Sequence, residues 1–270
     1  MVETLKPDIC VIGAGSGGLS VAAVKAKVIL IERHQMGGDC LNYGCVPSKA
    51  LIAAGKHAQS MRDAPKFGVH GKEPDVDFQQ VHDHVQGVIE TIAPMDSVER
   101  FEALGVTVIQ EPGRFKDKKT VIAGKYEIKA RRFVIATGSA PFVPPIPGLD
   151  EVDFDTNETV FNHTSDPGRM IIIGGGPIGM EMAQAHQRLG ADVTVVEGFK
   201  ALGKDDPELA AIVLDKIRED GVKILEMTKV VKVEKGAGNE IIVHVETAEG
   251  TDTVTGDRLL VATGRKATMD

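Results

Sequence analysis

Continuous runs of apolar residues set the pattern of this chain. Ile9–Ile12 leads into a glycine-rich turn, a helical stretch and a second apolar run, Val28–Ile31. The same order returns later, with an apolar run at 170–173, a second glycine-rich turn and another run at 193–196. Runs without polar alternation predict parallel strands buried on both faces. Strand, helix and strand in this order predict right-handed βαβ units of a doubly wound sheet.

Each half of the chain then closes in the same way. An apolar run is followed by Ala136-Thr137-Gly138 in the first half and by Ala262-Thr263-Gly264 in the second. Short segments of alternating apolar and polar residues precede each closing run, which predicts a small antiparallel meander in each half. These segments are 106–109 with 120–122, and 241–245 with 251–255.

A proline-rich stretch, 141–147, lies between the two halves and predicts a stiff connector. We therefore predict an α/β fold of two Rossmann-like dinucleotide-binding domains, each with a small antiparallel meander insertion. The predicted domains are residues 1–147 and 148–270.

Both glycine-rich turns have the pattern Gly-x-Gly-x-x-Gly in the context that binds a dinucleotide. The first glycine allows a tight turn, the second lets a pyrophosphate approach the backbone, and the third lets the helix pack on the strand. An acidic residue ends the following strand, Glu32 in the first copy and Glu197 in the second, where it can accept hydrogen bonds from ribose hydroxyls. Glycines that merely turn the chain are the alternative, which two complete copies disfavour.

Two details distinguish the copies. The carboxylate of Glu197 repels a ribose 2′-phosphate and favours NAD over NADP, although nearby Lys200 keeps NADP open. Glu32 follows Gly13 by 19 positions, whereas Glu197 follows Gly174 by 23. The first helix is therefore about one turn short, or residues are missing from the chain, and we favour the second.

Composition narrows the class of protein. The chain is 42% hydrophobic and 26% charged, as in globular proteins, with a net charge of −8 that argues against nucleic-acid or anionic-membrane partners. No apolar run is long enough to span a bilayer, and the N-terminal run lacks a signal-peptide pattern. We therefore expect a cytoplasmic enzyme.

Three cysteines are too few for a disulfide scaffold, so each needs its own explanation. Cys10 lies in a predicted buried strand and is interpreted as a small core residue. Four residues separate Cys40 from Cys45, and no second cysteine pair is present that would complete a zinc site. A disulfide between them needs an irregular turn, which Gly44 and Pro47 can supply, and a thiol at the start of the helix predicted at 47–57 has a lowered pKa. These features suit a disulfide that opens and closes.

The run from Gly37 to Lys49, with Cys-x4-Cys-Val-Pro-Ser-Lys after an FAD-type turn, resembles the class I pyridine nucleotide–disulfide oxidoreductases. The resemblance implies an FAD-dependent NADH:disulfide oxidoreductase of the dihydrolipoamide dehydrogenase type, with mercuric ion reductase as the alternative. It also implies roles for four residues. Cys45 would face the flavin, Cys40 would attack the substrate disulfide or bind a metal ion, and Lys49 would lie near the flavin and pair with Glu181.

The resemblance places the cofactors as well. FAD is expected on the first half and NAD on the second, with a small-molecule or protein-bound disulfide, or a metal ion, as substrate, and no resident metal. The predicted FAD positions are Gly13, Gly15, Ser16, Gly17, Gly18, Glu32, Arg33, Gly38, Asp39, Ala136, Thr137 and Gly138. The predicted NAD positions are Gly174, Gly176, Ile178, Gly179, Glu197, Ala262, Thr263 and Gly264.

The family's order also implies parts beyond Asp270, namely a later flavin-binding segment and a domain that forms a homodimer. We therefore expect the chain as given to be a fragment that binds FAD weakly or not at all and does not turn over. From a different class of function, a non-catalytic dinucleotide-binding module whose cysteines only sense redox state stays open.

Overall fold

The structure is a computed structural model and describes residues 2–269. It has the predicted alternation of strands and helices. The α-helices are α1 Ser16–Ala22, α2 Gly38–Asn42, α3 Cys45–Asp63, α4 Phe78–Ile92, α5 Val98–Ala103, α6 Pro177–Arg188 and α7 Pro207–Glu219. Short 3-10 turns cover Ala64–Phe67, Ala93–Asp96, Leu149–Glu151 and Val160–Asn162.

Strands account for most of the remaining regular structure. In chain order they are β1 Glu3–Leu5, β2 Ile9–Ile12, β3 Val28–Ile31, β4 Thr107–Ile109, β5 Gly113–Asp117, β6 Thr120–Ala123, β7 Tyr126–Ile128, β8 Arg132–Ile135, β9 Ser139–Pro141, β10 Arg169–Ile173, β11 Asp192–Val196, β12 Lys223–Leu225, β13 Lys229–Lys235, β14 Ile241–Thr247, β15 Gly250–Gly256, β16 Arg258–Val261 and β17 Arg265–Ala267.

Contacts divide the molecule into two compact units. One holds the residues up to Pro47, Gln86–Ala140 and the residues from Ala267 onward, and the other holds Ser48–Val85 and Pro141–Lys266. The second unit thus resumes at the first residue of the proline-rich stretch. The domain boundary at residue 147 stays a prediction.

A four-stranded parallel sheet, in the order β4-β3-β2-β8, forms the centre of the first unit. One face packs on α1 and α5 through side chains such as Leu30 and Phe101. The other face buries Ile12 and Ile29 against Val121 of the meander strands. Because both faces are covered, the strands read as continuous apolar runs, as predicted.

The first meander differs from the prediction. Strands β5, β6 and β7 are antiparallel neighbours, and β1 adds to β7 in parallel. The predicted pairing of 106–109 with 120–122 is wrong, because β4 lies in the parallel sheet, with Thr107 opposite Ile29. Ile109 in β4 and Val106 just before it are both buried, because a packed layer covers each face of the parallel sheet. A meander strand would leave one face half-exposed.

The second unit repeats the first sheet. Its parallel strands have the order β12-β11-β10-β16, the same topology as in the first unit. A three-stranded antiparallel sheet of β13, β14 and β15 covers one face and contributes Val233 and Val243 to a core with Ile171 and Leu259. The predicted pairing of 241–245 with 251–255 is confirmed, and β13 extends it. Two Rossmann-like α/β sheets with meander insertions are thus confirmed.

Helix α1 is short, with seven residues against twelve in α6. It ends at Ala22 because the chain has only five residues left before Val28 pairs with Ile9 in the sheet. The carbonyl of Lys27 already accepts the N–H groups of Asp8 and Ile9. The structure therefore has the short helix, and the inference that residues are missing stays a prediction.

Helix α3 is longer than predicted, running from Cys45 to Asp63 rather than over 47–57. Pro47 is tolerated because it lies in the first turn, where the backbone N–H has no helical partner. Good helix formers continue to Arg62, before Pro65. None of the helices within residues 2–269 combines the length and apolar content needed to cross a bilayer.

Candidate functional site

The first glycine-rich turn is built at the end of β2. Gly13 has φ 103, and a Cβ added to it would lie 2.2 Å from the carbonyl oxygen of Ala136. A Cβ on Gly18 would lie 1.8 Å from the oxygen of Gly13, so α1 packs directly on the turn. Side chains at these two positions would break the turn and the helix contact, which are the roles expected of the first and third glycines.

The second glycine-rich turn has the same geometry at the end of β10. Gly174 has φ 115, with the oxygen of Ala262 2.4 Å from an added Cβ, and the corresponding distance from Gly179 to the oxygen of Gly174 is 2.0 Å. Around Gly176 the space is open, with no heavy atom within 4 Å of an added Cβ. An open side of backbone at this position is what a pyrophosphate needs, so the residues present fit a dinucleotide.

The two acidic residues have matching contacts. Glu32 accepts hydrogen bonds from the N–H groups of Ala14 (2.7 Å) and His34 (2.8 Å). Glu197 accepts them from Gly175 (2.6 Å) and Phe199 (2.9 Å). Each carboxylate has about four acceptor sites, so these bonds leave room for ribose hydroxyls. The carboxylates therefore also tie each glycine turn to its neighbouring strand end, a role that the sequence did not indicate.

The other predicted cofactor positions surround these turns. Ser16 and Gly17 begin α1, and Gly38 lies so close to Gly15 that an added Cβ would be 2.7 Å from its Cα. The Thr137 hydroxyl donates to the oxygen of Thr268 (2.5 Å), and the Thr263 hydroxyl donates to that of Phe142 (2.7 Å). Arg33, Asp39, Gly138, Ile178 and Gly264 complete the set, with Arg33 and Ile178 exposed.

The cysteine pair lies on two successive helices. Cys40 is in α2, and Cys45 is the first residue of α3. Gly44 folds the chain back between them, since an added Cβ would lie 3.0 Å from the Asp39 carbonyl and 3.3 Å from the Cys40 Cα. The break at Gly44 therefore brings Cys45 back toward Cys40, which one regular helix would not do. A Cα–Cα distance under ~7 Å stays a prediction.

Cys10 has a different environment. It is fully buried in β2, and burial raises the pKa of its thiol to about 12. A thiol of that pKa is unreactive near neutral pH. The structure thus supports its interpretation as a core residue and leaves Cys40 and Cys45 for chemistry.

Lys49 and Glu181 meet as the resemblance implies. The Lys49 Nζ lies 2.7 Å from the Glu181 Oε2, although the residues are 132 positions apart. Both side chains are partly exposed, at 60% and 40%, so the pair contributes at most about 1 kcal/mol to stability. Its importance lies in position rather than in stability.

Packing of α3 on α6 sets that position. Gly55 of α3 faces Ala185, whose oxygen would be 3.1 Å from an added Cβ. About two turns further along α3, the Arg62 guanidinium donates to the carbonyl of Arg188 (2.7 Å). These contacts, together with the Lys49 pair, fix the register of two helices that carry predicted site residues.

The structure also shows features near the second turn that the sequence did not indicate. The side chains of Phe199 and Met227 are 77% and 62% exposed beside Glu197. The Met227 N–H donates to the carbonyl of Phe199 (2.9 Å), and Met227 has φ 51, which is uncommon for a residue with a side chain. Because both side chains are exposed to solvent, neither contributes to the hydrophobic core. Isolated apolar residues in loops follow no periodic pattern, so no sequence signal would have identified Phe199 and Met227.

A buried histidine lies on the inner side of α6. The His186 Nδ1 is 2.8 Å from the carbonyl of Met182, and burial lowers the pKa of the imidazole from its ordinary value. Elsewhere in the unit, burial opposes the ionisation of Asp155, but hydrogen bonds from His163 and Thr159 outweigh it and lower its pKa. Within residues 2–269, no three or more His, Cys, Asp or Glu side chains are grouped to hold a metal ion.

Two dinucleotide-type turns and a helix-borne cysteine pair define a nucleotide-dependent redox protein. A family model described as "Pyridine nucleotide-disulphide oxidoreductase" matches residues 7–270, and the chain belongs to this family. FAD and NAD(P)H are the cofactors of the family, in agreement with the expected cofactors.

Individual relatives carry two names. A mercuric reductase of Bacillus cereus is 34% identical over 264 residues, covering 96% of this chain and 42% of the relative. A dihydrolipoyl dehydrogenase of Haloferax volcanii is 35% identical over 280 residues, covering 97% and 58%. The chain spans about half the length of the curated relatives that it matches.

A solved structure gives the same picture. The Cu(II) complex of RclA, an HOCl-induced flavoprotein disulfide reductase from Escherichia coli, is similar with a TM-score of 0.81 and 25% identity. The match covers 97% of this chain and 57% of RclA. The likeness confirms the fold, with the chain again spanning just over half of its relative.

Proposed function

We propose that the full-length protein is an FAD-dependent NADH:disulfide oxidoreductase of the dihydrolipoamide dehydrogenase type. The observation that carries this is the placement of the cysteines: α2, which holds Cys40, packs through Gly38 on Gly15 of the first glycine-rich turn, and Gly44 folds Cys45 back toward it. A pair meant only to staple the fold would have no reason to lie on a dinucleotide turn. When bound, FAD supplies the two-electron step that links the nicotinamide to this pair.

The second unit would hold the nicotinamide dinucleotide. Gly176 leaves its backbone open for the pyrophosphate, and Glu197 keeps acceptor sites for the adenosine ribose. Phe199 and Met227 offer exposed apolar surface next to that carboxylate, where the adenine ring would lie. The negative charge of Glu197 favours NADH over NADPH because a 2′-phosphate would be repelled.

The cysteines would carry out thiol–disulfide exchange. The Cys40 thiolate attacks one sulfur of the substrate disulfide, forming a mixed disulfide and releasing the first substrate thiol after protonation. The Cys45 thiolate then attacks Cys40, releasing the second substrate thiol and leaving a Cys40–Cys45 disulfide. NADH restores the dithiol with two electrons, so one NADH and one proton are consumed for each disulfide converted to two thiols.

Lys49 would tune the redox centre from the same helix. It lies four residues after Cys45 on α3, one helical turn away, and its ammonium is held by the Glu181 carboxylate. The ion pair would fix the direction of the ammonium group, and the α3–α6 contacts at Gly55 and Arg62 would keep it in register.

A second acceptor is supported by the comparisons. Mercuric reductases of several bacteria are 31–34% identical to this chain, and two dihydrolipoyl dehydrogenases are 35% and 32% identical. Hg(II) reduction is therefore the alternative, with Cys40 and Cys45 as thiolate ligands of the substrate ion rather than as attackers of a disulfide.

Assembly and location form part of the proposal. A homodimer is expected because the family resemblance implies a dimer-forming domain in the complete protein. A cytoplasmic location is expected because a redox-active cysteine pair, with one further buried Cys10, is typical of a reducing compartment.

The test uses the full-length protein loaded with FAD and follows NADH oxidation with lipoamide, glutathione disulfide or Hg(II) as acceptor. We expect turnover with lipoamide, its loss in Cys40→Ser and Cys45→Ser, and retention of NADH-driven flavin bleaching in both variants. Cys10→Ala is the matched control and should keep activity because the Cys10 thiol is buried in the core and unreactive.

The acceptor assay separates the candidates. Turnover with Hg(II) but not with any disulfide would replace the leading proposal with the alternative. Disulfide reduction that survives both cysteine substitutions would refute the proposed role of the pair. Flavin and NADH binding without turnover on any acceptor would favour a redox-sensing module.

A further inference from the structure

We propose that Asn42 is a positioning residue for the cysteine pair, acting through the short helix that carries Cys40. The inference rests on the proposed function, since it concerns the Cys40–Cys45 disulfide. Asn42 does not need to touch substrate or cofactor for this role. Its side-chain amide would hold α2 closed and thereby set how often the two sulfurs meet.

Helix α2 cannot hold itself. It has five residues, far fewer than a helix needs to be stable alone, and it begins with two left-handed glycines, Gly37 (φ 85) and Gly38 (φ 57). Near its end, the Tyr43 N–H donates to the carbonyl of Asp39 (2.8 Å). External contacts must therefore keep Cys40 in place.

Asn42 supplies such contacts from the last position of the helix. Its side-chain amide nitrogen donates to the carbonyl of Met36 (3.1 Å) and to that of Gly38 (2.8 Å). An amide NH₂ group has two hydrogens, and both are used. The side chain thus ties the end of α2 to the turn that precedes it, with Cys40 enclosed between the tied points.

Two neighbouring contacts anchor the other side of the same turn. The Gly37 N–H donates to the carbonyl of Ala14 in the first glycine-rich turn (2.9 Å), and Leu41 is buried at 3% exposure. A Cβ on Gly37 would lie 2.3 Å from the Leu41 side chain. These contacts hold the start and the middle of α2. Asn42 holds its end, together with the Tyr43 hydroxyl, which donates to the Gln35 Oε1 (3.0 Å). The Tyr43-Gly44 break that leads to Cys45 follows immediately.

Loss of the amide would loosen that end. Without it, the last turn of α2 can unwind, and Cys40 samples positions from which its sulfur does not reach Cys45. The effective concentration of one thiol at the other then falls, and the disulfide becomes easier to reduce. A tenfold fall corresponds to a reduction potential about 30 mV less negative, because a tenfold change in this two-electron equilibrium is 29.6 mV.

The experiment measures that equilibrium directly. The full-length protein and its Asn42→Ala, Asn42→Asp and Asn42→Ser variants are equilibrated in thiol–disulfide buffers, acid-quenched and alkylated, and the fraction of Cys40–Cys45 disulfide is read by mass spectrometry. Asn162→Ala, an exposed asparagine in the other unit, is the matched control. Melting temperatures and flavin absorbance identify variants that are folded, and Asn42→Ser, which keeps a short donor, is the fallback if Asn42→Ala is not.

We expect Asn42→Ala to shift the midpoint upward by about 30 mV, with Asn42→Asp at least as far because its carboxylate repels the two carbonyls. Asn42→Ser should lie between these and the wild type, and Asn162→Ala should not move. A folded Asn42→Ala with the wild-type midpoint would overturn the inference. A wild-type protein that never forms the Cys40–Cys45 disulfide would instead overturn the proposed function, so the two failures are distinguishable.

Discussion

Gly176→Ala is the sharpest test of the second nucleotide site because it separates binding from stability. Gly176 has φ −77 and ψ 178, an extended conformation that alanine adopts readily, and an added Cβ meets no heavy atom within 4 Å. A methyl group therefore fits the folded protein. It would, however, occupy the open side of the turn where the pyrophosphate must approach the backbone.

The magnitude follows from these contacts. Replacing glycine where alanine fits stabilises a protein by about 0.4–1 kcal/mol, through the unfolded chain. Losing one backbone hydrogen bond to a charged phosphate costs about 1.5–3 kcal/mol, or roughly a ten- to hundredfold weaker affinity for NADH. Stability and affinity should therefore move in opposite directions in this variant.

Two other glycine substitutions serve as controls for Gly176→Ala. Gly179→Ala would place a methyl 2.0 Å from the Gly174 oxygen, so it should lower both stability, by about 1–3 kcal/mol, and affinity. Gly87→Ala, in α4 with no heavy atom within 4 Å of an added Cβ, should raise stability and leave affinity unchanged. NADH titration by fluorescence and urea unfolding measure both quantities. Wild-type NADH affinity in Gly176→Ala would show that the pyrophosphate does not pass this residue.

Other predictions concern charge and pKa. Glu197→Gln should narrow the preference for NADH over NADPH in kcat/KM by removing the repulsion of the 2′-phosphate, and a wild-type preference for NADPH would disprove the assignment. After reduction, iodoacetamide at about pH 8 should modify Cys45 and spare Cys10, whose pKa burial raises to about 12; rapid labelling of Cys10 in folded protein would contradict this. Burial lowers the pKa of His186 from its ordinary 6.5, so the folded protein favours the neutral imidazole. The stabilisation from this histidine is therefore complete above pH 6.5. Below that pH the free energy of unfolding falls by about 1.4 kcal/mol per pH unit, because the unfolded chain binds the proton first. Urea unfolding at several pH values measures this pH dependence, which should disappear in His186→Gln and persist in the exposed control His70→Gln. An equal pH dependence in both variants would contradict the assignment to His186.

Local patterns in the sequence determined the class of fold. Parallel strands buried on both faces need continuous apolar runs, so Ile9–Ile12 and Val28–Ile31 could be identified as strands without a structure. The glycine turns were equally predictable, because a tight turn and a close helix contact exclude side chains at Gly13 and Gly18. A helix after the cysteine pair was also predictable, although it begins at Cys45 rather than at the predicted Pro47.

Tertiary structure decided what periodicity leaves ambiguous. The segment 106–109 alternates like a meander strand, but its neighbour is β3, and burial on both sides comes from layers that no local pattern describes. The register of α3 on α6, which joins Lys49 to Glu181, depends on Gly55 fitting against Ala185 far along the chain. The resemblance implied the pair, whereas the packing that holds it is visible only in three dimensions.

The contacts of single polar side chains were the least predictable part. In the sequence, nothing distinguishes Asn42 from an ordinary loop residue. Only folding brings the carbonyls of Met36 and Gly38 to its side-chain amide. Glu32 and Glu197 were predicted to bind ribose, and the structure adds their hydrogen bonds to the glycine turns. The sequence by itself determines which segments are buried, because burial of a segment depends on its own pattern. Which donor meets which acceptor depends on the geometry between segments, and that is decided when the sheets and helices pack.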